Sequence, residues 1–301
     1  GNWLDFRRFE SHNSVDRDRF PQFTSELREA MFEEPIRFFL DNVQHDRSVL
    51  DSLYGKHTFV NPILAEHYGI DGVRGGADDW VRIDDATSYG RGGLLPMAVF
   101  LTQNAPGLRT SPVKRGYWVV RRLLGERIPP PPPNVPELPA DEAKLGELTL
   151  RETLARHRDH ASCAGCHQRF DSIGLAFEGF GPVGERRLKD LGGRPIDTRA
   201  SFPPVARHSL GETRDGVVGY EGSGVEGLQH YLRTRREQEF VDNLCRKLLS
   251  YALGRSLLPS DDALVDTMRR RLAADNHRFG VLVESIVTSR QFLTKRGNTD
   301  E

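Results

Sequence analysis

Leu27, Met31, Ile36, Phe39, Leu40 and Val43 return at near-helical spacing, forming an apolar stripe that begins just after Thr24 and Ser25. Hydroxyl side chains accept hydrogen bonds from the first backbone N–H groups of a helix, so that pair predicts a start. Pro35 inside the stripe predicts a bend. Residues 3–23 mix charge with aromatics around Pro21 and predict only a helix and a loop. A short helix is expected over Ser48–Tyr54. Asn61-Pro62 opens another through Ile63, Leu64 and Tyr68, ended by Gly69. From Gly69 to Gly93 the chain is rich in Gly and Asp, and Trp80-Val81-Arg82-Ile83 alternates, which predicts loop plus one strand. Leu94–Leu101 reads as a buried helix containing Met97.

Thr110-Ser111-Pro112 couples hydroxyl caps to a proline at the first helical position and predicts a helix over Val113–Leu124, stopped by Gly125. Trp118, Val119 and Leu123 form its apolar side. Lys114, Arg115, Arg121 and Arg122 surround them, either as a solvated face or as partners for an acidic ligand. Pro129 to Pro133, extended by Pro136 and Pro139, must run as polyproline II, which marks a boundary between packed bodies. Leu148–His160 is the next helix, with Thr149 and Glu152 as a capping box. Glu185–Lys189 and Pro195–Asp197 suggest a hairpin turned by Gly192-Gly193. Helices follow over Val225–Leu232, Glu237–Leu253, Ser260–Leu272 and Phe279–Phe292, with Gly254 closing the second and Ser260-Asp261-Asp262 capping the third.

Length and charge narrow the classes. The 301 residues suffice for one large domain or several small ones, and 42 Lys plus Arg against 43 Asp plus Glu give a net charge of −1. No overall field draws the chain to nucleic acid or anionic lipid. No apolar run is long enough to cross a bilayer. Gly1-Asn2-Trp3 carries neither signal peptide nor start Met, so the chain reads as a mature or excised piece of something longer. Three cysteines do not make a disulfide framework.

Cys163-Ala164-Gly165-Cys166-His167 is the candidate chemistry. Two thiols separated by two residues and followed by histidine suit thioether attachment to the vinyl groups of a haem, with the imidazole bound to iron. One haem c per chain is the expected cofactor, held by Cys163, Cys166 and His167, with His167 as a metal ligand whose other ring nitrogen donates to a backbone carbonyl. Phe170, Ile173 and Phe177 would lie against the porphyrin and exclude water. The sixth iron position falls to His67, Met97, His157 or Met31, with His67 first, or is vacant; the default for His67 is a satisfied buried histidine. Zinc on Cys163, Cys166, His167 and either His157 or His160 is the alternative, though closing a tetrahedron so locally is cramped. A thioredoxin-like dithiol would need a βαβ setting. Cys245, in the apolar pattern of Phe240, Leu244, Leu248 and Leu249, reads as a packing residue.

Leu64 to Gly69, Arg91 to Leu95, Thr110 to Gly116, the proline run with Asn134-Val135-Pro136, Cys163 to Gly174, and Leu248 to Arg255 together carry a family likeness. On these stretches the chain resembles the C-terminal part of the large planctomycete-type cytochrome c proteins, whose modules are domains of unknown function. The chain departs from that pattern at Ser172, where proline is usual, and at Gly179-Phe180-Gly181, where Asn-Phe-Asp is common. The resemblance implies three modules, at residues 1–105, 106–205 and 215–295, with the haem in the middle one. The expected fold is mainly α: helical modules around a single c-type haem, with a small β-hairpin and a polyproline segment.

Because c-type attachment is ordinarily completed outside the bacterial cytoplasm, a periplasmic or otherwise exported protein is expected. Electron transfer with a redox partner protein is expected, as a monohaem carrier or as the haem part of a larger redox protein or complex with upstream modules or subunits, and the flanking helical modules make the chain larger than a minimal carrier needs. A haem enzyme of peroxidase or oxygenase type, with an open distal site, is the alternative.

Overall fold

The computed structural model describes residues 1–12, 14–129, 139–158, 161–204 and 219–294, except for the side chains at 10, 157–158 and 161–163. The polyproline expectation over 130–138 lies outside the described residues. Helix α1 (Ser25–Gln44) is capped by the Thr24 hydroxyl, which accepts from the Leu27 N–H. It continues through the buried Pro35, so the proline does not end it. After the short α2 (Asp51–Tyr54), strand β1 (Thr58–Val60) leads into α3 (Pro62–Tyr68). Asn61 caps the Leu64 N–H of α3, and Gly69 closes it at φ +70°. Strand β2 (Val81–Ile83) pairs antiparallel with β1 in the register Thr58 to Ile83.

The helix expected over Leu94–Leu101 is shifted, and that expected over Val113–Leu124 is present but changes its pitch. Helix α4 covers Ala98–Gln103 because Pro96 and the positive-φ Gly92 and Gly93 shape the chain before it. Helix α5 (Pro112–Trp118) is capped by Ser111 and widens into a π-helical turn at Val119–Leu123 before Gly125 at φ +74°. Trp118, Val119 and Leu123 are buried.

Helix α6 (Leu150–Arg158) begins at the expected box: Glu152 accepts from the Thr149 backbone N–H at 2.7 Å, and Thr149 Oγ1 accepts from the Glu152 N–H at 3.2 Å. Helices α7 (Ala161–His167) and α8 (Asp171–Leu175) follow. The hairpin around Gly192-Gly193 is present as one isolated bridge, Lys189 to Pro195, and a separate bridge joins Phe180 to Arg186. A second two-stranded sheet, which the residue pattern did not announce, pairs β3 (Arg199–Phe202) with β4 (Tyr220–Ser223).

The C-terminal helices are α9 (Gly224–Tyr231), α10 (Glu237–Leu253), α11 (Asp262–Ala274), α12 (Phe279–Val287) and α13 (Arg290–Leu293). A π-helical turn, Leu232–Arg236, joins α9 to α10, and Gly254 closes α10 at φ +63°. Asp261 does not cap α11. Its carboxylate accepts from the Leu258 N–H and pairs with Arg255, on a 3-10 turn at Pro259–Asp261. The expected helix over Phe279–Phe292 is split because Ser289 caps a new helix, accepting from the Phe292 N–H.

One continuous core runs from Leu4 and Phe9 through Phe100, Val119 and Phe177 to Leu249 and Ile286. Polar bonds stitch the same segments together. Trp118 Nε1 donates to the Leu4 carbonyl, and Asn243 Nδ2 donates to the carbonyls of Arg122 and Leu123. Among the described residues no helix is long and apolar enough to cross a membrane.

Candidate functional site

Helix α7 carries Cys163 and Cys166 and ends on His167. The chain then turns through Gln168-Arg169-Phe170, with the Phe170 N–H on the His167 carbonyl, and starts α8 at Asp171. That turn places a fully buried carboxylate four residues beyond the imidazole. His167 Nδ1 lies 3.0 Å from Oδ1 and 3.2 Å from Oδ2 of Asp171. A backbone carbonyl was expected here, and the carboxylate takes its place because the new helix begins at once. An ionised carboxylate only accepts, so the hydrogen of this bond sits on Nδ1.

Packing fixes this arrangement. A Cβ added at Gly116 would overlap the Phe170 carbonyl oxygen, and one at Gly174 would overlap that of Pro112, so α5 and α8 touch backbone to backbone. Phe170 is buried, with its ring 5.3 Å from that of His167 and edge-on to Tyr117 at 6.0 Å. Arg169 pairs with Glu126, which also pairs with Arg236 of the turn before α10, tying the end of α7 to the C-terminal helices.

Arg115 holds the other side. It is buried rather than solvated, which corrects the reading of its face. Its guanidinium donates to the carbonyls of Leu101 (3.1 and 3.2 Å), Phe177 (3.1 Å), Phe180 (2.8 Å) and Gly181 (2.6 Å). Burial lowers its pKa to about 10. Lys114 and Arg121 are exposed. Below α8, Arg187 bridges the buried Glu142 (2.6 Å) and Glu178 (3.1 Å), and Thr110 donates to Glu178 at 2.9 Å. Burial raises the pKa of Glu178, with Arg187 and Arg115 opposing it.

The residues present fit a c-type haem. Two thiols three positions apart share one helix with an imidazole, and a carboxylate holds that imidazole in a single tautomer. Cys166 is a free, half-buried thiol at the margin of the core; the side chain of Cys163 lies outside the described residues. Ile173 and Phe177 are fully buried in the common core. His67 Nε2 lies 2.9 Å from the Val183 carbonyl, and burial, with Arg91 nearby, lowers its pKa to about 4. Met31 and Met97 are buried, Met31 on α1 and Met97 at the start of α4. The His157 and His160 side chains lie outside the described residues, and with them both zinc alternatives. Among the described residues no three His, Cys, Asp or Glu side chains form a metal-holding group. Cys245 is buried, and burial pushes its pKa to about 12.

Sequence reasoning missed Asp171 and the Glu142–Arg187–Glu178 cluster, and it did not place Arg115 inside the fold. Only Asp171 left a signal, its spacing of four residues from His167.

Three comparisons bear on the chain. Residues 91–190 match a family model described as a protein of unknown function (DUF1588), residues 218–292 match another (DUF1585), and residues 1–70 match a third (DUF1592). These three are domains found in planctomycete-type cytochrome c proteins. No curated protein and no solved structure matches the chain.

Proposed function

We propose, taking as premise that three stretches of the chain match domains found in planctomycete-type cytochrome c proteins, that this protein holds one haem c and acts in electron transfer within a larger redox protein or complex. The observation that carries the reading is the single helix bearing Cys163, Cys166 and His167, with His167 Nδ1 held by Asp171. When bound, the haem supplies one-electron chemistry at its iron. Cys163 and Cys166 would bind it through sulfur, and His167 would offer Nε2 to its iron. Asp171 keeps the hydrogen on Nδ1. The buried Phe170, Ile173 and Phe177 keep water from the side of the fold behind His167.

His67 is read as a satisfied core histidine, because its Nε2 is engaged by Val183. The partner is a redox protein, and the location is periplasmic or otherwise exported, where covalent haem attachment is completed. The test is the intact mass of the full chain made in a host with haem-attachment machinery. One haem per chain is expected, lost together with the colour when Cys163→Ala and Cys166→Ala are combined. A colourless wild-type chain weighing only its amino acids overturns the proposal.

A further inference from the structure

We infer that Asp171 is a positioning residue that sets the reduction potential of the bound haem low by acting on His167. This rests on the proposed reading of His167 as the residue that would hold the haem iron and goes beyond it, since haem attachment alone requires nothing of Asp171. Three observations carry it. The Asp171 carboxylate meets Nδ1 with both oxygens, at 3.0 and 3.2 Å. Its side chain is only 1% exposed, while that of His167 is 14% exposed, so the charge acts through protein rather than water. The pair cannot easily drift apart, because α8 is fixed against α5 by the glycine contacts at Gly116 and Gly174, and the His167 ring is flanked by Phe170.

The chemistry follows from charge. A backbone carbonyl accepting from Nδ1–H presents a dipole; a carboxylate presents a full negative charge, and draws the proton further from the ring. The imidazole becomes a more basic donor at Nε2, which favours the oxidised, more positive state of the iron over the reduced one. In a water-poor setting that preference is screened little. The module would therefore give up an electron more readily than one whose histidine rests on a carbonyl.

The test compares the mature full chain with Asp171→Asn and Asp171→Glu. Intact mass first shows whether haem is attached, which judges the reading of the site separately. Spectroelectrochemical titration then gives the potential. Asp171→Asn keeps an acceptor of similar shape but removes the charge. It is expected to shift the ratio of reduced to oxidised iron at a given potential at least tenfold toward the reduced form, a rise of about 59 mV. Asp171→Glu is expected to return part of that shift. A haem-loaded Asp171→Asn chain whose ratio moves less than threefold overturns the inference, because a merely structural role would not track charge. If Asp171→Asn does not fold, the wild-type reduced chain decides. Nitrogen-15 NMR should show an exchange-protected proton on Nδ1 of His167, and its absence overturns the inference. A wild-type chain without haem removes this inference along with the reading beneath it.

Discussion

His67 and His167 are both half-buried and each has a ring nitrogen bonded within the fold, but the partners differ in charge. His67 meets a neutral acceptor, the Val183 carbonyl, and its neighbours Tyr68 and Arg91 belong to a closed polar group. In that group Tyr68 donates to Glu34 at 2.6 Å, Thr58 donates to it at 2.5 Å, and the Arg91 guanidinium lies over the Tyr68 ring at 3.6 Å. Burial there raises the Glu34 pKa to about 7 and lowers that of His67 to about 4, so both groups favour their neutral forms. His167 instead meets a carboxylate at the end of a helix that also presents Cys166. A neutral partner suits an imidazole that only packs; under the proposed reading, a carboxylate partner would make the imidazole a stronger ligand.

The largest expected effect comes from removing the scaffold on the His167 side. In Arg115→Met the carbonyls of Phe177 and Gly181 keep backbone donors, from Phe180 and Gly184. Those of Leu101 and Phe180 lose the guanidinium in a buried place. Two such losses should cost about 3 kcal/mol in urea unfolding. A change under about 1 kcal/mol would mean that α4, α5 and the segment after α8 are held by apolar packing alone.

How much of this contrast was legible depends on the range of the forces involved. The caps at Thr24, Asn61, Ser111 and Thr149 were readable because the hydroxyl or amide acts on a backbone group within three residues. Strands β1 to β4 span three or four residues each and exist only through distant partners, so β1, β3 and β4 left no local pattern. Arg115 was misread because charge in a sequence looks solvated, and only the assembled fold supplies the carbonyls that take it inside. For Asp171 the spacing was visible, but its effect depends on the turn at residues 168–170 and on burial beneath α5, neither of which a motif encodes.

A smaller effect sharpens the comparison from the His67 side. His67→Phe fills the space but leaves the Val183 carbonyl without its donor, which should cost about 2 kcal/mol at neutral pH. Because the folded-state pKa of His67, about 4, lies below the ordinary 6.5, its neutral form stabilises the protein above pH 6.5, and that stability is lost as pH falls toward 4. The difference between wild type and His67→Phe should therefore shrink on acidification through that window. Glu34 contributes in the opposite direction, stabilising below pH 4.5 and losing that contribution as pH rises through about 7, but it is common to both chains and cancels in the difference. In the haem-loaded protein the visible spectrum of His67→Phe should match wild type. A change of spin state would show that His67 binds iron, and the contrast between the two histidines would fail.

The smallest expected effect tests whether the His167 ring is held by its flank as well as by Asp171. Phe170 lies edge-on to Tyr117 and tilted at 49° to His167. Phe170→Leu keeps an apolar side chain under α5 but gives up both ring contacts, and it should cost about 1 kcal/mol in urea unfolding. The potential should move far less than in Asp171→Asn, since no charge changes. If instead the two substitutions shift the potential equally, ring orientation rather than the carboxylate governs the iron, because both changes would then act only through the angle at which Nε2 is presented.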